Sequence, residues 1–323
     1  MCGQNANWSN GGNWFDGYAP SAGDSLIFPA GVARLSMSND FPLETQFGSL
    51  SFGSDYTVEG NAIALAGGID VNDGRATVRI GITLTASQLW DVSSTGALKV
   101  FDHSVALNAL TLTVNSNGLS ETSFGAEAVF LPVQGVGNVI INGNSPPALD
   151  ASSMSGLITN NGVLHLSGGT GVTVVNYGSL VLLGNNLPLD TLTNYGTFWP
   201  ASRARVSTLL LKPGSTFQPH VFDPVLGNSG VSVNSVTIAG ALLDVHSPYQ
   251  FENNTITFSI DNIGKDPVQG TFVSAPEGSI ITSSTSAQRF RLSYVGSNGR
   301  SITATAIGHN PNLTISRTSA VAG

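Results

Sequence analysis

The residues of this 323-residue chain whose types and spacing come nearest to proton chemistry are two acid–imidazole neighbours, Asp102-His103 and Asp244-Val245-His246. On a strand, positions two apart share a face, so Asp244 and His246 would stand within reach of a metal ion or a proton relay. A surface pair near the end of the fold is the plainer reading, and we favour it. Asp70 and Asp73, read as one loop with Arg75 close by, carry donor types suited to calcium or a sugar, and a solvated turn is favoured there too. Glycoside hydrolysis needs two carboxylates about 5–9 Å apart on one groove. The other acids of this region, such as Asp55, Asp91, Asp150, Asp190 and Asp223, stand singly and mostly in turns. The chain contains no His-Glu-x-x-His, no Gly-x-Ser-x-Gly, no phosphate loop and no glycine–aspartate calcium nonapeptide. The expectation is a non-enzymatic protein with no catalytic residue, metal or cofactor.

Aromatic residues offer a second kind of chemistry, since rings repeated on one face can stack on sugars. Trp90, Trp199 and the pair Tyr177 and Tyr195 are the candidates. The two tyrosines hold the same place in consecutive repeats, so they should lie one lap apart, near stacking distance. A ring stack that stiffens the fold is favoured over a glycan contact.

The elements that must position these residues are legible from a period. Asn160-Asn161-Gly162, Asn176-Tyr177-Gly178, Asn194-Tyr195-Gly196 and Lys212-Pro213-Gly214 repeat one pattern along the chain. Each glycine precedes a small residue or strand start and then apolar residues. A nearly fixed interval just under about 20 residues, built from short alternating strands and turns, is the signature of a β-solenoid. Asn and Gly both tolerate left-handed backbone, so these read as turns. Stacked at one corner, Asn160, Asn176 and Asn194 would form a ladder of amide hydrogen bonds. Leu110, Leu112 and Val114 alternate with Thr111 and Thr113, as a half-buried strand requires.

The fold class expected is all-β: a parallel β-helix with an N-terminal cap and a C-terminal antiparallel β module. Residues 1–30 form the cap or arm, rich in Trp8, Trp14, Phe15 and Tyr18; residues 31–247 form the helix. Residues 248–323 form the closing module, with strands at 289–294 and 301–306. At about 18 residues a lap the helix would hold roughly 12 coils, a rod near 55–60 Å long.

Only 10% of residues are charged, far below the quarter usual in soluble domains, and the net charge is −8. Phosphate recognition needs clustered Lys and Arg, so nucleic acid is not an expected partner. No apolar run is long enough to form a transmembrane segment. Cys2 is the single cysteine, which rules out a disulfide framework within the chain; we read it as an incidental thiol rather than a lipidated terminus. A surface wetted by Asn, Ser and Thr favours secretion.

Asn13-Trp14 with Ala19-Pro20-Ser21-Ala22-Gly23-Asp24-Ser25-Leu26-Ile27-Phe28, then Asn39-Asp40-Phe41, resembles the start of secreted bacterial proteins carrying autotransporter-associated β-strand repeats. Asp261-Asn262, Gly264, Asp266-Pro267-Val268, Gly270-Thr271-Phe272, Pro276-Glu277-Gly278 and Phe290, Ser293-Tyr294, Gly296 resemble their closing module. The resemblance implies an extracellular or cell-surface parallel β-helix, right-handed, with structural or adhesive roles. No run of amphipathic strands for an outer-membrane barrel follows the rod, which points to a secreted or tethered subunit. The expected partners are copies of itself, joined end to end into a fibre, or a surface glycan or protein receptor. Leu313, Thr314 and Ile315, after the break at Pro311, form a candidate strand for adding to a neighbour's open edge. The alternative is a polysaccharide-binding or polysaccharide-degrading β-helix, with a side groove near Trp199 or the Asp244/His246 strand.

Overall fold

In the computed structural model, residues 5–118, 129–167, 169–183, 188–200, 204–221, 229–248, 251, 256–296 and 299–307 are described. The chain is all-β and winds as a parallel β-solenoid of about nine turns. In the N-terminal half each lap has three short strands. Leu50–Phe52, Tyr56–Gly60 and Ile63–Leu65 pair in parallel with Gly68–Val71, Gly74–Arg79 and Ile82–Leu84 of the next lap. Alternating side chains turn inward, so Leu50, Phe52, Val58, Ile63 and Leu65 are all fully buried. Full burial of one such side chain contributes roughly 1.5–3 kcal/mol, and stacking laps extends the same dry column.

One column of register partners threads the rod: Leu50, Ile69, Trp90, Val114, Ile141, Asn160, Asn176, Asn194, Leu211 and Ile238. The laps between them are unequal. Asn160 to Asn176 is the tightest, at 16 residues. Asn115, beside Val114, is followed by its next-lap partner Asn142 only after 27 residues. The lap from Leu211 to Ile238 is equally long. The short lap expected from sequence is therefore the compact middle of the rod, and the coil count falls to about nine. The parallel ladder also runs across residues 30 and 247, since Leu26–Phe28 already pairs with Leu50–Phe52 and Gln269–Thr271 still pairs with Ser229–Ala239.

At the N-terminal end, two tryptophans close the column. Trp8 is fully buried against Phe28 and Phe47, at 5.8 and 5.5 Å between ring centres. The Trp14 indole N–H donates to the Trp8 carbonyl at 2.7 Å. Phe15 and Tyr18, grouped with them in the sequence reading, instead project into solvent, 101% and 77% exposed. At the far end the strand direction changes. Ile256–Asn262 pairs in parallel with Ser229–Ala239 on one side and antiparallel with Ile302–Ile307 on the other. Arg289–Ser293 continues the antiparallel sheet between Ile302–Ile307 and Ile280–Thr282.

Candidate functional site

Axial ladders of side chains dominate the middle of the rod. Asn160, Asn176 and Asn194 occupy consecutive laps of the buried column, each with no solvent exposure. The Asn160 amide donates to the Asn176 side-chain oxygen at 2.6 Å, and Asn176 donates to Asn194 at 2.6 Å. Each also bonds its own corner, for example Asn176 Nδ2 to the Gly178 carbonyl at 3.1 Å. Three polar side chains thus replace aliphatic ones in the core and satisfy one another, which offsets the desolvation penalty of burying them.

The glycines beside them serve a different purpose from the one expected. Gly162, Gly178 and Gly196 do not adopt left-handed backbone. A Cβ at Gly178 would lie 1.8 Å from the Gly162 carbonyl oxygen, and one at Gly196 would lie 2.0 Å from that of Gly178. They are glycine because the lap beneath passes too close for any side chain. Gly143 starts this column, its carbonyl 2.0 Å from a Cβ at Gly162. Gly214 stands off it: its φ is +77° and a Cβ there meets nothing within 4 Å.

One residue along, the outward-facing column forms a second ladder that the sequence reading missed. Asn161 donates to Asn142 at 2.9 Å, Asn142 to Asn115 at 3.0 Å and Asn115 to Asp91 at 3.1 Å. On the far side of Asn161 the same column continues as Tyr177 and Tyr195, stacked at 5.0 Å with 11° between planes. Asp70 belongs to this column as well, in register with Asp91 inside Gly68–Val71 rather than sharing a loop with Asp73. Burial and then the Asp91 charge push its carboxyl above the usual range. The steps of this ladder are irregular, 24, 27 and 19 residues, so no fixed period reveals it.

Trp199 and the Asp244/His246 pair, separate candidates in sequence, meet on one outer face; the expected strand there ends at Leu243, and His246 makes a lone parallel bridge to His220. Trp199 stacks on His220 at 3.5 Å between ring centres, and His220 lies 4.6 Å from His246. Gln218 Nε2 donates to Asp244 Oδ2 at 2.8 Å and lies 3.0 Å from His246 Nε2, which is 3.1 Å from the same carboxylate oxygen. Gln218 and His220 were not anticipated; the shared pattern of a polar residue, one residue and a histidine in Gln218-Pro219-His220 and Asp244-Val245-His246 is the signal that marks them. Burial, then the His246 charge, lower the His220 pKa to about 4 against the opposing pull of Asp244. Burial pushes the Asp244 carboxyl up, but hydrogen bonds from Ser284 and Gln218 and the charge of His246 outweigh it and hold the group below its usual range.

The Ser284 hydroxyl beside this group donates to the Val245 carbonyl at 3.3 Å. Asp102 is drawn into an ion pair with Arg79 at 3.0 Å. Trp90 lies in the core column, fully buried, its indole N–H donating to Gln88 at 2.8 Å. Among the described residues no group of three or more His, Cys, Asp or Glu could hold a metal ion, and no helix is long and apolar enough to cross a membrane. Leu313, Thr314 and Ile315 lie outside the described residues. No family model, curated protein or solved structure matches the chain.

Proposed function

We propose that this chain is a non-enzymatic structural or adhesive rod of the extracellular or cell-surface environment, assembling end to end with copies of itself. The observation that carries this reading is the direction in which the side chains are used. Tyr177 stacks on Tyr195 and Trp199 on His220, so ring faces are engaged along the rod axis instead of outward toward a ligand. The amides follow the same axis in two ladders. Such ladders stiffen a shaft. The low charge, the neutral polar surface and the autotransporter-like resemblance of both ends support a place outside the cell.

A second reading is kept because one face does gather mixed chemistry: Trp199, Gln218, His220, Asp244 and His246 form a partly exposed patch of the kind that contacts sugars. One set of measurements separates the two. Negative-stain imaging of the purified chain over a concentration series should show rods joined at their ends. A glycan array and a reducing-sugar release assay should be blank; release abolished by Asp244→Asn would overturn the non-enzymatic reading, and array binding abolished by Trp199→Ala would establish the glycan-binding one.

A further inference from the structure

The first lap exposes three strands toward the N-terminal end, and the arm covers two of them. Ser36–Asn39 is capped by the arm, through Trp8 N–H to the Ser38 carbonyl and Ser38 N–H to the Ala6 carbonyl, both at 2.9 Å. Thr45–Phe47 receives the Gly23 N–H on the Gln46 carbonyl at 2.7 Å. The third, Leu26–Phe28, pairs only with Leu50–Phe52 among the described residues. Alternation in a parallel ladder leaves the N–H and C=O of Ile27 pointing away from that one partner. An uncovered edge of this kind is a template for another strand.

Beside it lies a cleft of about 660 Å³ lined by Trp14, Phe15, Tyr18, Ile27 and Val32. Phe15, Tyr18 and Ile27 are 101%, 77% and 68% exposed, an unusual concentration of apolar surface in one place. Asp16, Asp24 and Arg34 are the charged residues of its wall.

We propose that this edge and cleft receive the segment Leu313–Ser316 of a second copy as an added strand, a proposal that rests on the end-to-end reading above. The segment alternates apolar Leu313 and Ile315 with Thr314 and Ser316, and Arg317 follows it. Leu313 and Ile315 would enter the cleft, and Arg317 would meet Asp16 or Asp24. Reach decides which copy supplies it. The last described strand, Ile302–Ile307, is at the C-terminal end, and the ladder between Leu50 and Ile238 alone is nine laps deep, about 43 Å at about 4.8 Å a lap. The stretch from 308 to 313 extends at most about 20 Å. A chain therefore cannot fill its own cleft with this segment, whereas the next rod in a row brings it to the right end.

The test uses a synthetic peptide of residues 309–319 and three proteins: the full chain, a variant lacking residues 310–323, and that variant carrying Phe15→Ser and Tyr18→Ser. Both rings are solvent-exposed, so these substitutions leave the fold intact, as equal melting temperatures will show. We expect the full chain to form end-to-end oligomers by sedimentation and negative-stain imaging, and the shortened chain to be monomeric and to bind the peptide. The double substitution should weaken that binding at least about tenfold. Peptide that fails to bind, or binds both shortened proteins equally, overturns the inference. If filaments persist without residues 310–323, the strand assignment falls and the rod reading stands. If the full chain stays monomeric at every concentration, the end-to-end reading falls with it.

Discussion

Replacing Asn176 by alanine should be among the most destabilising single changes in the rod. The side chain is fully buried and hydrogen-bonded on every side. It donates to Asn194 at 2.6 Å, to the Thr197 carbonyl at 2.9 Å and to the Gly178 carbonyl at 3.1 Å, and it accepts from Asn160 at 2.6 Å. Truncation leaves the Asn194 oxygen and one Asn160 N–H without this partner. Each orphaned buried group costs about 1–3 kcal/mol, and the cavity adds about 1 kcal/mol, for an expected loss of about 3–7 kcal/mol. Most of that falls on the neighbours, so changing all three asparagines to leucine should cost about 2–4 kcal/mol less than the sum of the three single changes. Ile141 and Leu211 show that aliphatic side chains fit this column on either side of the ladder. The Gly178 carbonyl also keeps the Thr197 N–H at 2.8 Å. Guanidinium unfolding followed by far-UV ellipticity, over single, double and triple variants, measures these couplings. A stability within about 1 kcal/mol of wild type for Asn176→Ala, or a triple variant that matches the sum, would refute the reasoning.

Four further outcomes follow from the same geometry. Gly178→Ala should lower stability by more than about 3 kcal/mol or prevent folding, because its Cβ would overlap a backbone carbonyl; a normal melting curve would contradict the close-approach argument. Trp8→Ala should cost about 3–5 kcal/mol by opening the capped end of the column, read as a drop in the denaturation midpoint. His220 favours its neutral form in the fold, so its contribution is complete above about pH 6.5 and is lost as pH falls toward 4. With solvent screening of the half-buried ring this amounts to about 1 kcal/mol; His220→Phe, which keeps the stack on Trp199, should flatten thermal stability between pH 7 and 4.5. Asp70→Asn removes a like charge beside Asp91 and should add roughly 0.5 kcal/mol at pH 7, a gain that should shrink as pH falls and the Asp70 carboxyl takes up its proton.

The solenoid was legible because one stretch of it is nearly regular. Laps of 16 and 18 residues around Asn160, Asn176 and Asn194 leave glycine and asparagine in step, and the eye finds the period. Elsewhere loops lengthen the laps while the strands stay in register, so spacing in sequence stops reporting position in space. The strand read at 107–114 illustrates this: Asn108 and Ala109 take positive φ, 51° and 60°, and pairing starts only at Thr111. Local turn propensity and crowding from the next lap both demand glycine, so the sequence pattern alone does not separate the two causes, whereas the packing at Gly178 and Gly196 does. The patch joining Trp199, His220 and Asp244 was out of reach for a related cause. Its members come from three successive laps, and even Gln218 and the carboxylate it bonds are 26 residues apart, so no local rule sets them side by side.

The two amide ladders and the backbone ladder share one direction, along the shaft. A load applied between the two ends therefore pulls lengthwise on every hydrogen bond of a junction at once, and the whole row must yield together. Force applied across the shaft to a loop would instead peel a single lap, bond after bond. A filament built from such units would resist being stretched far better than being frayed from its side.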